Sequence, residues 1–125
     1  MAITASKISV SQSIKWTPGS GDSISFAGSE SFTQAGTLAG METVNATATT
    51  SAVPLFSITG PLYLGIKNTD ANATVYVDTV TPVVASVAAH VLAPGKALAL
   101  YTTTNTWYMI ASSGTPEVVV AAVQP

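Results

Sequence analysis

The sequence contains no cysteine and no arginine, and His90 is the one histidine among its 125 residues. The absence of cysteine excludes disulfides and cysteine-ligated zinc sites. Charged residues make up 8% of the chain, against about 25% in an ordinary domain. Four scattered lysines are a poor footprint for nucleic acid or an anionic membrane, because both ligands present many negative charges. We therefore expect neither as a partner.

Long apolar runs are also missing. No stretch approaches about 20 consecutive apolar residues, so we expect no transmembrane helix. The N-terminus lacks a basic start followed by an apolar run, so we expect no signal peptide. Hydrophobic residues nevertheless make up 47% of the chain, and a surface with few charges provides little repulsion between copies. This combination predicts an oligomer, and specifically a homotrimer.

Apolar residues recur with a period of two, which is typical of strands that have one buried face. The alternation is clear over residues 8–16, and PGSGD at 18–22 is a turn signal. Residues 62–79 predict a hairpin around NTDAN, and residues 97–111 predict a second one around TTTNT. The β-branched residues of 83–92, between two prolines, favour a strand over a helix.

Eight to ten short β segments with frequent turn signals predict an all-β fold. The length suits one domain over residues 1–125. We expect a single-domain antiparallel β-sandwich or jelly-roll-like barrel, with extended arms at residues 1–7 and 116–125.

The NTDAN segment resembles the opening of a calcium loop, because Asn68, Asp70 and Asn72 alternate there. An EF-type loop needs glycine at position 6 and a carboxylate at position 12, where this chain has Ala73 and Thr79. Asn and Asp are also common in turns because they bond their own backbone. We therefore interpret NTDAN as a turn and expect no metal site.

Catalytic constellations are similarly sparse. The neighbours of His90 are apolar, and no serine lies in a G-x-S-x-G elbow. GSGDS at 19–23 lacks the lysine of a phosphate-binding loop. No pair stands out among the six acids, which are Asp22, Glu30, Glu42, Asp70, Asp78 and Glu117. We expect no enzyme activity, no catalytic residue and no cofactor.

Apolar and aromatic residues in the second half of the chain are candidates for an interaction surface. The consecutive valines near the C-terminus make both faces of that segment apolar, so we expect 118–123 to be paired into a sheet and covered on both sides. The partner is either its own domain or, as we favour, a neighbouring subunit or another protein. Trp107 and Tyr108 are adjacent and therefore point to opposite faces, so at most one of them lies in the main core. The predicted interaction residues are Val118, Val119, Val120, Val123, Trp107 and Tyr108.

The aromatic residues also allow a sugar-binding interpretation. Tyr63, Tyr76 and Tyr101, with Trp107 and Tyr108, could form a stacking platform, although aromatics on strands more often pack against each other. A carbohydrate-binding module is therefore the alternative to a structural protein.

Two segments, LYLGIKNTDANATVYVDT at 62–79 and LAPGKALALYTTTNTWYMIA at 92–111, resemble parts of small β-rich structural proteins of tailed bacteriophages. The resemblance implies a virion protein, namely a decoration (cement) protein on the capsid surface. It also implies contacts with copies of the same chain and with the major capsid protein or another virion protein. The segments are similar to tail-fibre modules too, so the alternative is a carbohydrate- or receptor-binding module of a tail fibre or tail tip.

Overall fold

A computed structural model describes residues 7–16, 19, 24–33 and 38–125. The chain divides into two compact units, Met1–Thr37 and Leu38–Gln124. The described residues form strands β1 Lys7–Trp16, β2 Ile24–Thr33, β3 Ala39–Asn45, β4 Ser51–Ala52, β5 Leu62–Asn68, β6 Val75–Asp78, β7 His90–Leu92, β8 Ala97–Thr102, β9 Tyr108–Ala111 and β10 Glu117–Val123. Within these ranges no helix is long and apolar enough to cross a membrane. The predicted all-β class is confirmed.

The first unit contains an antiparallel pair, β1 and β2. Its register runs from Lys7 opposite Thr33 to Trp16 opposite Ile24. The alternation over 8–16 therefore correctly indicates a strand. The turn predicted at 18–22 lies outside the described residues, apart from Gly19, and so do residues 1–6 of the predicted N-terminal arm.

The second unit contains two antiparallel four-stranded sheets. The first sheet has the order β3-β10-β5-β8, and the second has the order β4-β9-β6-β7. Strands at the same place in the two orders are neighbours along the chain: β3 and β4, β10 and β9, β5 and β6, β8 and β7. Eight strands in this order form a jelly roll. The predicted antiparallel β-sandwich is therefore confirmed.

Alternate residues from both sheets form one buried core. The first sheet contributes Leu62, Leu64, Ile66, Val118, Val120 and Ala122, and the second contributes Val75, Val77, Leu92, Met109 and Ala111. Removing apolar surface of this kind from water contributes roughly 25 cal/mol per Å². The period of two in the sequence is thus the direct cause of the two-layer structure.

The two predicted hairpins are wrong. The NTDAN segment connects β5 to β6, and TTTNT lies between β8 and β9, but in each case the two strands belong to different sheets. The strand β5 pairs with β10 and β8 instead, whereas β6 pairs with β9 and β7. Alternation identifies the residues that face the core, but a hairpin and a sheet-to-sheet connection both satisfy it.

The strand predicted over 83–92 is also too long, because only His90–Leu92 forms one. Before it, the Val87 amide donates a hydrogen bond to the Val84 carbonyl at 3.1 Å and closes a turn. The Val83 amide bonds to the Thr50 hydroxyl at 3.0 Å. These local partners outweigh the strand preference of the β-branched side chains.

The C-terminal segment is the second strand of the first sheet, where β10 lies between β3 and β5. The predicted pairing of 118–123 is confirmed, and the sheet partners are strands of its own domain, which was the less favoured of the two alternatives. Within the chain itself Val119, Ala121 and Val123 are half-buried, so the cover of this outer face by a partner stays a prediction. Residues 116–125 therefore contain a central strand where the sequence predicts an arm.

The loop 53–59 is fixed against β3 by an aromatic contact. A Cβ atom added at Gly40 would overlap the ring of Phe56, so the ring lies directly on the Gly40 backbone. Phe56 and Ser57 both have positive φ angles, 54° and 66°, a conformation that is uncommon for residues other than glycine. The Phe56 contact therefore holds a loop whose backbone is strained.

Substituting Gly40→Ala is expected to destabilise the protein by about 1–3 kcal/mol, because the Phe56 ring must shift. The matched control is Gly60→Ala, since a Cβ there meets no atom within 4 Å. Urea unfolding of both variants measures the difference. Equal free energies of unfolding for the two variants would contradict the proposed contact.

Candidate functional site

The Asn68 side chain is the buried polar junction of the second unit. Asn68 ends β5 and is 0% exposed. Its Nδ2 donates to the carbonyl of Ala73 at 2.8 Å and to that of Leu92 at 2.9 Å. Its Oδ1 accepts the amide of Asp70 at 3.0 Å. One side chain thus joins the end of β5, the NTDAN turn and the end of β7.

The loop after Asn68 is further held by Thr69 and Asp70. The amide and hydroxyl of Thr69 both donate to the Glu117 carbonyl, at 3.0 and 2.9 Å. The Asp70 Oδ2 accepts the amides of Asn72 and Ala73, at 2.8 and 2.6 Å. These are the bonds by which Asn and Asp stabilise turns. The segment that resembles a calcium loop therefore uses these oxygens to hold its own backbone.

The same amides act on the charge of Asp70. The hydrogen bond from the Ala73 amide, followed by that from Asn72, lowers the pKa of the Asp70 carboxyl below its ordinary value. Hydrogen bonds of this kind favour the charged form of a carboxylate. The turn is thus most stable when Asp70 is ionised.

Two residues that could act as acids or bases, His90 and Asp78, make contacts with neighbouring parts of the fold. His90 is half-buried, and its ring centroid lies 5.8 Å from that of Trp107. The Asp78 carboxylate accepts the amides of Thr79 and Ala89 at 2.7 and 3.2 Å. Within residues 7–16, 19, 24–33 and 38–125, no three His, Asp or Glu side chains are grouped to hold a metal ion.

The predicted interaction residues lie in three places. Val118 and Val120 are 0% exposed and belong to the core. Trp107 is also buried, and its Nε1 donates to the Thr104 carbonyl at 3.0 Å. Val119 and Val123 lie on the opposite, outer face of the first sheet, and Tyr108 lies on the outer face of the second.

The outer face of the first sheet is largely apolar, and we call it the Met41 face. Its members share the side of the sheet that points away from the core: Ala39, Met41, Thr43, Asn45, Tyr63, Gly65, Lys67, Ala97, Ala99, Tyr101, Glu117, Val119, Ala121 and Val123. Met41 is 76% exposed and Tyr101 is 54% exposed. The register places Met41 beside Ala121, which in turn lies beside Gly65.

Aromatic residues lie at one end of the Met41 face and charges at the other. The rings of Tyr63 and Tyr101 meet edge to face with centroids 5.2 Å apart, an arrangement that aromatic pairs prefer. Lys67 pairs with Val119, and Glu117, the first residue of β10, lies at the same end of the face. Between the two ends the face carries apolar or small side chains and Thr43.

Met41 and Tyr101 are exposed members of this face that the sequence pattern does not predict. Met41 lies in the middle third, where the apolar period is irregular, and its face is defined only by the pairing of β3 with β10. Tyr101 was considered only as part of a sugar-stacking platform. The available signal was the C-terminal valine run, which indicates an apolar second face but not the strands that extend it.

Removing the Asn68 amide tests the junction. Asn68→Ala is expected to destabilise the protein by about 2–4 kcal/mol, because the carbonyls of Ala73 and Leu92 lose a buried donor. Asn72→Ala is the control, since Asn72 is exposed in the same turn. Thermal and urea unfolding measure both. A loss for Asn68→Ala no larger than that of the control would contradict this role.

Acid should weaken the turn through Asp70. Because the folded-state pKa is lowered, the ionised carboxyl adds stability above the ordinary pKa of about 3.9, and this contribution disappears as the pH falls through the folded-state value. The difference in melting temperature between the wild-type protein and Asp70→Asn should therefore be largest above about pH 4 and shrink at lower pH. A difference that stays constant from neutral to acid pH would contradict this expectation.

No protein-family model, curated protein or solved structure matches this chain. The order of its strands is that of a jelly roll. A fold of this kind hosts many unrelated functions, so the function has to be inferred from the residues of the chain itself.

Proposed function

We propose that this chain is a virion structural protein, a decoration protein that binds the outer shell of a tailed-bacteriophage capsid and stabilises it through subunit contacts. The observation that carries the proposal is the Met41 face. An exposed apolar patch of this kind on a soluble domain is characteristic of an interaction surface. Burying it against a partner stabilises the assembly by about 25 cal/mol per Å² of apolar surface, offset by the cost of association.

The composition of the Met41 face favours a second copy of the chain as the occupant. Ala121 and Gly65 are small residues at its centre, so the face there has low relief. A face of low relief can pack closely against a different surface of the next copy, which is the kind of contact that a closed trimer requires. The chain also has 8% charged residues, which keeps repulsion between identical copies small. A homotrimer is the proposed state, with the capsid protein as the second partner.

Two further observations support a virion role. The segments 62–79 and 92–111 carry the resemblance to phage structural proteins. The jelly-roll order is also found in viral capsid domains, as well as in lectins and cupins. Many copies on a shell make even weak contacts collectively strong, so a surface with few charged residues suits such a role.

Charge placed on the Met41 face should disrupt self-association. The wild-type chain is expected to elute at three times its 12.7 kDa mass at micromolar concentration. Met41→Glu should shift it toward the monomer, because a carboxylate buried in an apolar interface lacks a partner. Val87→Glu is the matched control: Val87 is 74% exposed but lies in the connection between β6 and β7. Size-exclusion chromatography with light scattering measures all three.

A wild-type monomer at micromolar concentration, or equal effects of the two glutamate substitutions, would contradict the Met41 face as the subunit interface. The site on the virion requires a separate experiment. Electron microscopy of purified virions with a gold-labelled antibody against the chain should place the label on the outer shell. Label confined to the tail tip would instead support the receptor-binding alternative.

A further inference from the structure

A groove lies beside the short edge strand β4, in the second sheet and apart from the Met41 face. It runs between the loop 53–59 and the segment 105–108, and its volume is about 270 Å³. None of the described residues that line it is charged. Its polar and aromatic lining consists of Ser57, Thr59, Asn105, Thr106, Trp107 and Tyr108.

The two walls of this groove are joined by hydrogen bonds. The Val53 amide donates to the Trp107 carbonyl at 2.8 Å. The Asn105 Nδ2 donates to the Gly60 carbonyl at 2.7 Å. A third bond, from the Ile58 amide to the Leu55 carbonyl at 3.0 Å, closes the turn of the loop. The groove is therefore built in advance of any ligand, as binding sites for small molecules usually are.

The loop 53–59, which forms one wall of the groove, also has a strained backbone. Phe56 and Ser57 both hold positive φ angles, and the Phe56 ring is locked on the Gly40 backbone. Non-glycine residues in this conformation cluster at ligand clamps and other functional sites. The two strained residues are therefore Ser57, which lines the groove, and Phe56, which anchors the loop to Gly40.

We propose that this groove binds a neutral sugar. The hydroxyls of Ser57, Thr59 and Thr106 can donate and accept hydrogen bonds, as can the carboxamide of Asn105. An uncharged lining has no cation to pair with a phosphate or carboxylate, so a neutral ligand rich in hydroxyls fits best. Leu55 and the half-buried ring of Tyr108 supply apolar surface for the less polar face of a sugar ring. A volume near the lower limit for ligand pockets suits one sugar unit.

This site goes beyond the proposed capsid role and does not depend on it. The groove is lined from the β4–β9 edge of the second sheet, whereas the Met41 face belongs to the first sheet. A failure of self-association with sugar binding retained would contradict only the capsid role. A loss of sugar binding with self-association retained would contradict only the groove.

Nuclear magnetic resonance titration of the full chain tests the proposal. Glucose, galactose, mannose and N-acetylglucosamine are each added to ¹⁵N-labelled protein. At least one should cause saturable shifts of the Ser57, Thr59, Thr106 and Tyr108 amides, with a Kd on the order of millimolar. The remaining amides of the second unit should stay in place.

Matched variants identify the groups involved. Thr106→Val keeps the side-chain shape and should weaken binding about three- to tenfold through the lost hydroxyl. Thr103→Val, at an exposed threonine of the same connection, is its control. Tyr108→Ala should weaken binding, whereas Tyr76→Ala removes another tyrosine from the outer face of the same sheet and should not.

Three results would overturn the proposal. The first is the absence of saturable shifts with every sugar up to about 50 mM, which is well above a millimolar Kd. The second is a loss of affinity in Thr103→Val equal to that in Thr106→Val. The third is a set of groove shifts caused by a neutral tripeptide such as Ala-Ala-Ala and by none of the sugars, which would assign the groove to peptide binding.

Discussion

The buried carboxamide of Asn68 is the interaction on which the two-sheet arrangement depends. Strand β5 ends at this residue, and the chain must then leave the first sheet and enter the second. The carbonyls of Ala73 and Leu92 make buried hydrogen bonds here, and Asn68 supplies the donor to each. Buried carbonyls without a donor are costly. The Asn68 side chain has two N–H groups and one oxygen, so it pairs with both carbonyls and with the Asp70 amide.

Around this junction, most of the connections in the second unit run between the sheets. The segment 46–50 shows how such a connection is made, because the Ala46 amide bonds to the Pro116 carbonyl next to the first sheet, and the Thr47 carbonyl accepts the Ala111 amide of the second sheet. A turn that crosses from sheet to sheet needs polar partners of its own, since it is outside either ladder. Asn, Asp and Thr at these positions supply them from side chains.

The functional surfaces follow from the same alternation that forms the core. In β10, Val118 and Val120 are buried between the sheets, while Val119 and Val123 lie on the Met41 face. A strand that needed only one apolar face would carry polar residues at the second set of positions. Folding of the sandwich does not require an apolar second face, and this excess is the basis of the proposed association. The sugar groove is independent of this pattern, because it is formed by a loop and the edge of the other sheet.

Residue periodicity by itself determined the all-β class and the presence of a buried face on most strands, because alternate side chains of a strand point to opposite faces. It also determined that NTDAN is a connection held by its own Asn and Asp side chains. Pairing was decided only by the tertiary structure: β5 and β6 share a core whether they form a hairpin or lie in different sheets, so local pattern cannot distinguish the two. For the same reason Met41, Val119 and Tyr101 became one surface only when β3, β10, β5 and β8 were placed side by side. The groove at 53–59 and 105–108 depends on residues far apart in the chain, and no local sequence signal brings them together.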